Sequence, residues 1–206
     1  GDDCLLFIEE KDLERVKAML PTKFLEYGFS LKIEKIAHTL QEIEWCQGGL
    51  VETNLGWKFV RNPHKVLSTA ACSTKYVDSY RAIKRLMGTI GMGESHLNAG
   101  VPVLQEFSHM LIRVGDSKPL KLDPGDDMYY RVHTLNLETL APHPRVPITD
   151  KARVDFSTAF GICVETQRVL EDFLGRIDLD PAEPITFPSG DTTRECLDWT
   201  LAGRVR

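Results

Sequence analysis

The chain has 206 residues, enough for one large domain or two small ones, and its 42% apolar and 27% charged content is that of an ordinary globular protein. No stretch reaches the roughly 18 apolar residues a membrane helix needs, and the start lacks the basic-then-apolar pattern of a secretory leader. A net charge of −5 argues against a protein that coats nucleic acid over its whole surface, but it is compatible with a local basic channel.

Gly1-Asp2-Asp3 opens the sequence without an initiator methionine and leads straight into an apolar run, as expected for a segment of a longer polypeptide. Cys4 to Glu9 (CLLFIE) is expected to be a buried strand. Asp12 to Leu20 has helical spacing, with Leu13, Val16 and Leu20 on one face and Asp12 as N-cap. Pro21 opens a continuation through Leu25, and Gly28 stops it. Ser30 to Ile36 and Glu42 to Gln47 are the next expected strands. The second is joined through a Gly48-Gly49 turn to a strand ending near Val60. Beyond Pro63 the pattern turns helical, over Tyr76 to Met92, Val101 to Val114, Asp150 to Phe160 and Glu165 to Ile177. Thr149 or Asp150 can cap the third of these. Connectors run from Gly115 to Asp126, Ala141 to Pro147 and Asp180 to Asp191. The stripe Leu86, Ile90, Leu97, Val101, Leu104, Phe107 and Leu111 is expected in the core, with Met87, Met92 and Met110 beside it.

The five cysteines and six histidines are scattered, with no CxxC pair and no zinc-ligand spacing. Reduced thiols are therefore expected. The chemistry lies elsewhere. Adjacent carboxylates on a tight turn can face one cavity, and hard divalent cations want oxygen ligands. Gly1-Asp2-Asp3 has that composition, and an apolar run leaves it directly. Gly125-Asp126-Asp127 is a second such triplet, but it follows a Pro-Gly turn with no apolar strand leading in, so metal binding is not expected there.

The pieces after the first triplet keep a distinctive order. An apolar strand, an amphipathic helix, Tyr27-Gly28-Phe29, a lysine-bearing strand and Ile43-Glu44-Trp45-Cys46-Gln47 all fall within fifty residues. This succession resembles motifs C, D and E of positive-strand RNA virus polymerases, and IEWCQ resembles the IEFCQ of tombusvirus-like enzymes of the carmovirus type. Phe59-Val60-Arg61-Asn62-Pro63, Leu97 to Leu104 (LNAGVPVL), Pro147-Ile148-Thr149 and Ala159-Phe160-Gly161 resemble thumb segments of the same family.

The resemblance implies an α+β fold, with the C-terminal part of a palm over residues 1–62 and a mostly helical thumb over 63–206. It implies RNA-directed RNA polymerase activity by a two-metal mechanism with Mg2+ or Mn2+. Asp2 and Asp3 would be metal ligands, and Lys35 (or Lys32) the general acid that protonates departing pyrophosphate. Trp45, Cys46 and Gln47 would grip the priming nucleotide or nascent end, with Trp45 packed between palm and thumb and Cys46 buried. Arg61 is the first choice among Lys58, Arg61, His64, Lys65, Lys75, Arg81, Lys84 and Arg85 for the product phosphates. Implied partners are RNA template and product, ribonucleoside triphosphates, the upstream palm and fingers, and other replication proteins. The implied setting is the host cytoplasm at membrane-associated replication sites. Motifs A and B are not found, so the chain is expected to be inactive alone. A further expectation is that removing residues 1–60 improves solubility if the thumb folds independently. The alternative is a non-catalytic helical module that binds RNA or a partner.

Overall fold

The computed structural model describes residues 4–118, 120, 141–178, 185–186 and 200–201. Asp2, Asp3, the second Gly-Asp-Asp triplet, Cys196 and most of the last connector lie outside the described residues. The fold is α+β, as expected. A three-stranded antiparallel sheet, in the order β1 (Glu44–Trp45), β2 (Gly48–Thr53) and β3 (Gly56–Arg61), is packed among helices. The helices are α1 (Leu13–Glu26), α2 (Pro63–Thr69), α3 (Tyr80–Leu97), α4 (Leu104–Val114), α5 (Asp150–Phe160) and α6 (Val164–Arg176). A two-residue ribbon, β4 (Ile185–Thr186) with β5 (Thr200–Leu201), follows.

The first forty residues depart most from the expectation. The segments 4–9 and 29–37 form no ladder, and Leu6, Phe7, Tyr27 and Phe29 are solvent-exposed. A strand exists only beside a partner, and none lies beside these segments among the described residues. Helix α1 runs through Pro21 to Glu26 and ends at Gly28, whose φ of +83° is open to glycine without a Cβ penalty. Leu13, Val16 and Leu20 share its half-buried face. Asp12 does not cap α1; its carboxylate instead accepts from Arg15 at 2.8 Å, beside a short 3-10 turn over Glu10–Asp12.

The core begins at the sheet. Val51 and Val60 join Val66 and Leu67 of α2, the buried face of α4, and Phe156, Leu170 and Leu174 of α5 and α6. One continuous core therefore crosses the joint near residue 62. Helix α2 went unforeseen although its start is marked: Asn62 accepts from the His64 N–H, and Pro63 takes the first helical position. Helix α3 begins at Tyr80, because Ser79 caps it through the Ala82 N–H. Of the expected stripe, Val101, Leu104, Phe107 and Leu111 are fully buried and Leu86 and Ile90 partly so. Leu97, at the last turn of α3, is exposed. Helix α5 occupies the expected span, with Thr149 as cap through the Ala152 N–H.

Helices α3 and α4 cross closely at Gly88 and Gly91, where added β-carbons would overlap the backbone of Asp116 and of Ser108 and Ile112. Before α4 the chain makes a three-residue γ-turn. Val103 has φ 63° and ψ −52°, and the Leu104 N–H reaches the Pro102 carbonyl at 2.6 Å. Glu171 of α6 holds this turn by accepting the Val103 N–H at 2.9 Å while paired with Arg153 of α5.

Candidate functional site

The hairpin carrying Trp45, Cys46 and Gln47 is built on a stiff lead-in. A 3-10 turn over Leu40–Glu42 is closed by a capping box, in which the Glu42 carboxylate accepts the N–H groups of His38 (2.8 Å) and Thr39 (3.3 Å). Those bonds, the His38 N–H above all, hold the Glu42 carboxyl below the usual range, and the Lys35 charge adds to them. Ile43 is then buried and the chain enters β1.

The turn itself is at Cys46-Gln47, not at Gly48-Gly49. Trp45 pairs with Gly48 and Glu44 with Gly49, so the two residues between form the loop. Both are left-handed, with φ of 48° and 60°, which is the two-residue turn that suits the twist of a hairpin. Holding non-glycine residues there costs roughly 1–2 kcal/mol each. The glycines serve close approach instead. A β-carbon on Gly48 would lie 2.5 Å from the Phe59 ring, and one on Gly49 would lie 3.1 Å from Ala159 on α5. Two adjacent glycines fit either role from sequence, and packing chose the second.

Cys46 is exposed at the tip rather than buried, because the turn projects it away from the core. Trp45 packs edge-on against Phe59 (centroids 6.0 Å, planes 67° apart) but stays 44% exposed rather than enclosed, since β1 is the sheet's edge. The Gln47 carbonyl accepts the Asn62 N–H at 3.0 Å, tying the turn to the start of α2.

The basic residues are more engaged than their sequence cluster suggests. Arg61 leaves the end of β3 and donates to both carboxylate oxygens of the buried Glu94 on α3, which also accepts from Asn98 at 2.8 Å. Lys58 extends to the carbonyls of His96 and Leu97 at the C-terminus of α3, the negative end of that helix, and burial lowers its pKa. Arg85 stands 3.7 Å from Asp116, and Lys84 lies over the Tyr80 ring at 5.7 Å. Lys65 and Arg81 are exposed on α2 and α3. Burial lowers the pKa of His64. Lys32 pairs with Glu34 at 3.1 Å, and Lys35 is exposed.

Sequence reasoning passed over two buried acids, Glu94 and Asp155. Asp155 of α5 is 2% exposed, and its carboxylate accepts from Gln41 Nε2 and the Glu52 N–H, both at 3.1 Å, and from Lys151 Nζ at 2.6 Å. Only the spacing of Lys151 and Asp155, one helical turn apart, was visible beforehand. Among the described residues no group of three or more His, Cys, Asp or Glu side chains is arranged to hold a metal ion. Nor is any described helix long and apolar enough to cross a membrane.

The viral RNA dependent RNA polymerase family profile matches residues 1–181. The chain is 30% identical over 182 residues to the RNA-directed RNA polymerase of Cymbidium ringspot virus, covering 87% of this chain and 21% of that protein. It is 31% identical over 178 residues to that of Tobacco necrosis virus (strain D), covering 84% and 24%. With that of Melon necrotic spot virus it shares 28% over 205 residues, covering 98% and 25%. The chain thus spans about a fifth to a quarter of the length of these relatives. No solved structure is a significant match. With the family profile running from the first residue to beyond the last long helix, the chain belongs to the viral RNA-dependent RNA polymerase family.

Proposed function

We propose that this chain supplies the end of the palm (residues 1–62) and the thumb (63–206) of a polymerase that copies viral RNA from ribonucleoside triphosphates. The observation that carries the reading is the family match over residues 1–181, in which the IEWCQ segment forms a hairpin braced on the helical unit. The exposed apolar side chains of the first forty residues support it. Phe7, Tyr27 and Phe29 are the kind of surface a palm presents to further strands and helices of the same protein.

In this reading Asp2 and Asp3, which lie outside the described residues, are the metal ligands. Their hard carboxylate oxygens suit Mg2+ or Mn2+. Such ions, when bound, lower the pKa of an attacking hydroxyl and neutralise charge on departing pyrophosphate. Lys35 gives a proton to that leaving group, a contribution typically worth about a hundredfold or more in rate. Lys35 is preferred to Lys32 because it stands eight residues after Tyr27, the better match to the family's spacing. Trp45, Cys46 and Gln47 form the exposed edge that meets the priming nucleotide or nascent 3′ end. Arg61 serves the product strand by fixing β3 to α3 through Glu94 and offering its exposed side to phosphate.

The remaining palm and the fingers come from the rest of the longer protein, so the 206-residue chain alone incorporates no nucleotide. Work proceeds in the host cytoplasm at membrane-associated sites, with other replication proteins. The test is template-directed incorporation by the longer protein, which Asp2→Ala abolishes. Activity that survives Asp2→Ala, or robust magnesium-dependent synthesis by this chain alone, would refute the assignment.

A further inference from the structure

Strand β2 has an incomplete edge. Strand β1 covers only Gly48 and Gly49, so beyond them the side of β2 facing away from β3 has no ladder partner among the described residues. A bare backbone N–H in a half-buried position costs free energy. At Glu52 the deficit is met from outside the sheet, because Asp155 of α5 accepts the Glu52 N–H at 3.1 Å. The same carboxylate accepts Gln41 Nε2 at 3.1 Å, and Gln41 lies in the 3-10 turn that feeds β1. One turn earlier on α5, Lys151 donates to Asp155 and stands 3.5 Å from the Glu52 carboxylate. One buried acid thus binds the entry to the hairpin and its middle strand to one helix. Nearby, Gly49 sits against Ala159 and Phe160 of that helix, where a β-carbon would stand only 3.1 Å from Ala159.

We propose that Asp155 is a positioning residue that ties the Cys46–Gln47 turn to α5, one of the three helices that hold the hairpin. Any shift of α5 is thereby transmitted to the hairpin tip. The bonds themselves are independent of the polymerase reading. Their consequence for nucleotide engagement rests on the reading of the hairpin as the grip.

Two measurements separate the parts. In hydrogen exchange of the 206-residue chain, Asp155→Asn keeps the size of the side chain and removes the charge from its bonds. Exchange of the Glu52 amide and the amides of β1 and β2 should quicken about tenfold or more, the scale of a lost charge-assisted bond. The amides of α3 and α4 should hold. Gln41→Ala, which leaves the buried acid and its Lys151 pair intact, should act in the same direction to a smaller degree and serves if Asp155→Asn misfolds. Unchanged exchange in the hairpin, or loosening spread evenly over the chain, overturns the proposal.

In the longer polymerase, Asp155→Asn should raise KM for the initiating nucleotide or primer about tenfold, while kcat for extension of a preformed end stays within about twofold. A loosened hairpin with unmoved KM overturns the positioning role. If Trp45→Ala in the same polymerase raises KM, only Asp155 is displaced from the account; if it also leaves KM unmoved, the grip reading itself falls.

Discussion

Helix α3 contains an internal control for how closely it is seated on α4. A β-carbon on Gly91 would stand 2.8 Å from the Ile112 nitrogen and 2.9 Å from both the Leu111 β-carbon and the Ser108 carbonyl oxygen. Two residues along, a β-carbon on Gly93 meets nothing within 4 Å. The two substitutions by alanine share the same gain in helix propensity, about 0.5–1 kcal/mol. They differ only in what the methyl group meets.

At Gly91 the new carbon falls about 0.6 Å short of ordinary contact distance, and the opposing atoms are mostly main chain, which cannot rotate away. Overpacking of that kind costs about 1–3 kcal/mol and occasionally more. Gly91→Ala is therefore expected to destabilise by about 1–2 kcal/mol net, and Gly93→Ala to stabilise by about 0.5–1 kcal/mol. With a urea slope of about 1–3 kcal/mol per molar, the midpoints should move in opposite directions, the first falling by about 0.3–2 M. Gly88→Ala should be worse than Gly91→Ala, because its β-carbon would lie 2.0 Å from the Asp116 carbonyl oxygen. Midpoints for Gly91→Ala and Gly93→Ala that shift the same way would show that α3 and α4 do not cross where the glycines place them.

Glu171→Ala should cost about 3–5 kcal/mol, because it strands the largely buried Arg153 guanidinium and frees the Val103 N–H at the γ-turn; a loss under about 1 kcal/mol in chemical unfolding would mean the pair is not buried. His64 and His109 are both depressed, chiefly by burial, with Arg145 and His143 adding to the effect at His109. A base whose folded pKa is lowered weakens the fold as pH falls through its unfolded value of about 6.5 toward the folded one, and has no effect above that window. The Tm should therefore drop as the pH falls through about 6.5 and below, and the His64→Gln/His109→Gln double variant should flatten that slope; an identical slope counts against the assignment. Removing residues 1–36 should improve solubility and preserve the unfolding midpoint, since among the described residues that segment adds no buried hydrophobic residue to the core and the His38 bond to Glu42 is kept. Cutting to residue 60 should unfold the protein by taking Val51 from the core, and a well-folded 61–206 chain would contradict the shared core.

What the sequence displayed was governed by how local each decision was. The span of α5 was legible because its period, its Thr149 cap and the left-handed Gly161 that ends it all lie within a dozen residues. The order of hairpin, then helices, was legible for the same reason. The strands expected over 4–9 and 30–36 were not secured, because β-branched and aromatic content marks what can pair, whereas pairing needs a neighbour. The hairpin turn slipped by two residues because glycine answers two demands, positive φ and close approach, and Phe59 and Ala159 decided between them. The role of Asp155 was invisible for a different reason: apart from Lys151, its partners Glu52 and Gln41 are 103 and 114 residues away.

These long-range bonds also explain how a small sheet with a two-residue edge strand keeps one geometry. A ladder of two residue pairs cannot hold a hairpin whose turn forces Cys46 and Gln47 into the left-handed region at roughly 1–2 kcal/mol apiece. The opposing stabilisation comes from outside the sheet: Asp155 on the middle strand, the Asn62 N–H on the Gln47 carbonyl, and Arg61 on Glu94. Each joins the hairpin to a different helix, α5, α2 and α3. The tip therefore takes its position from three helices at once, and its own two-residue ladder has little say in where it stands.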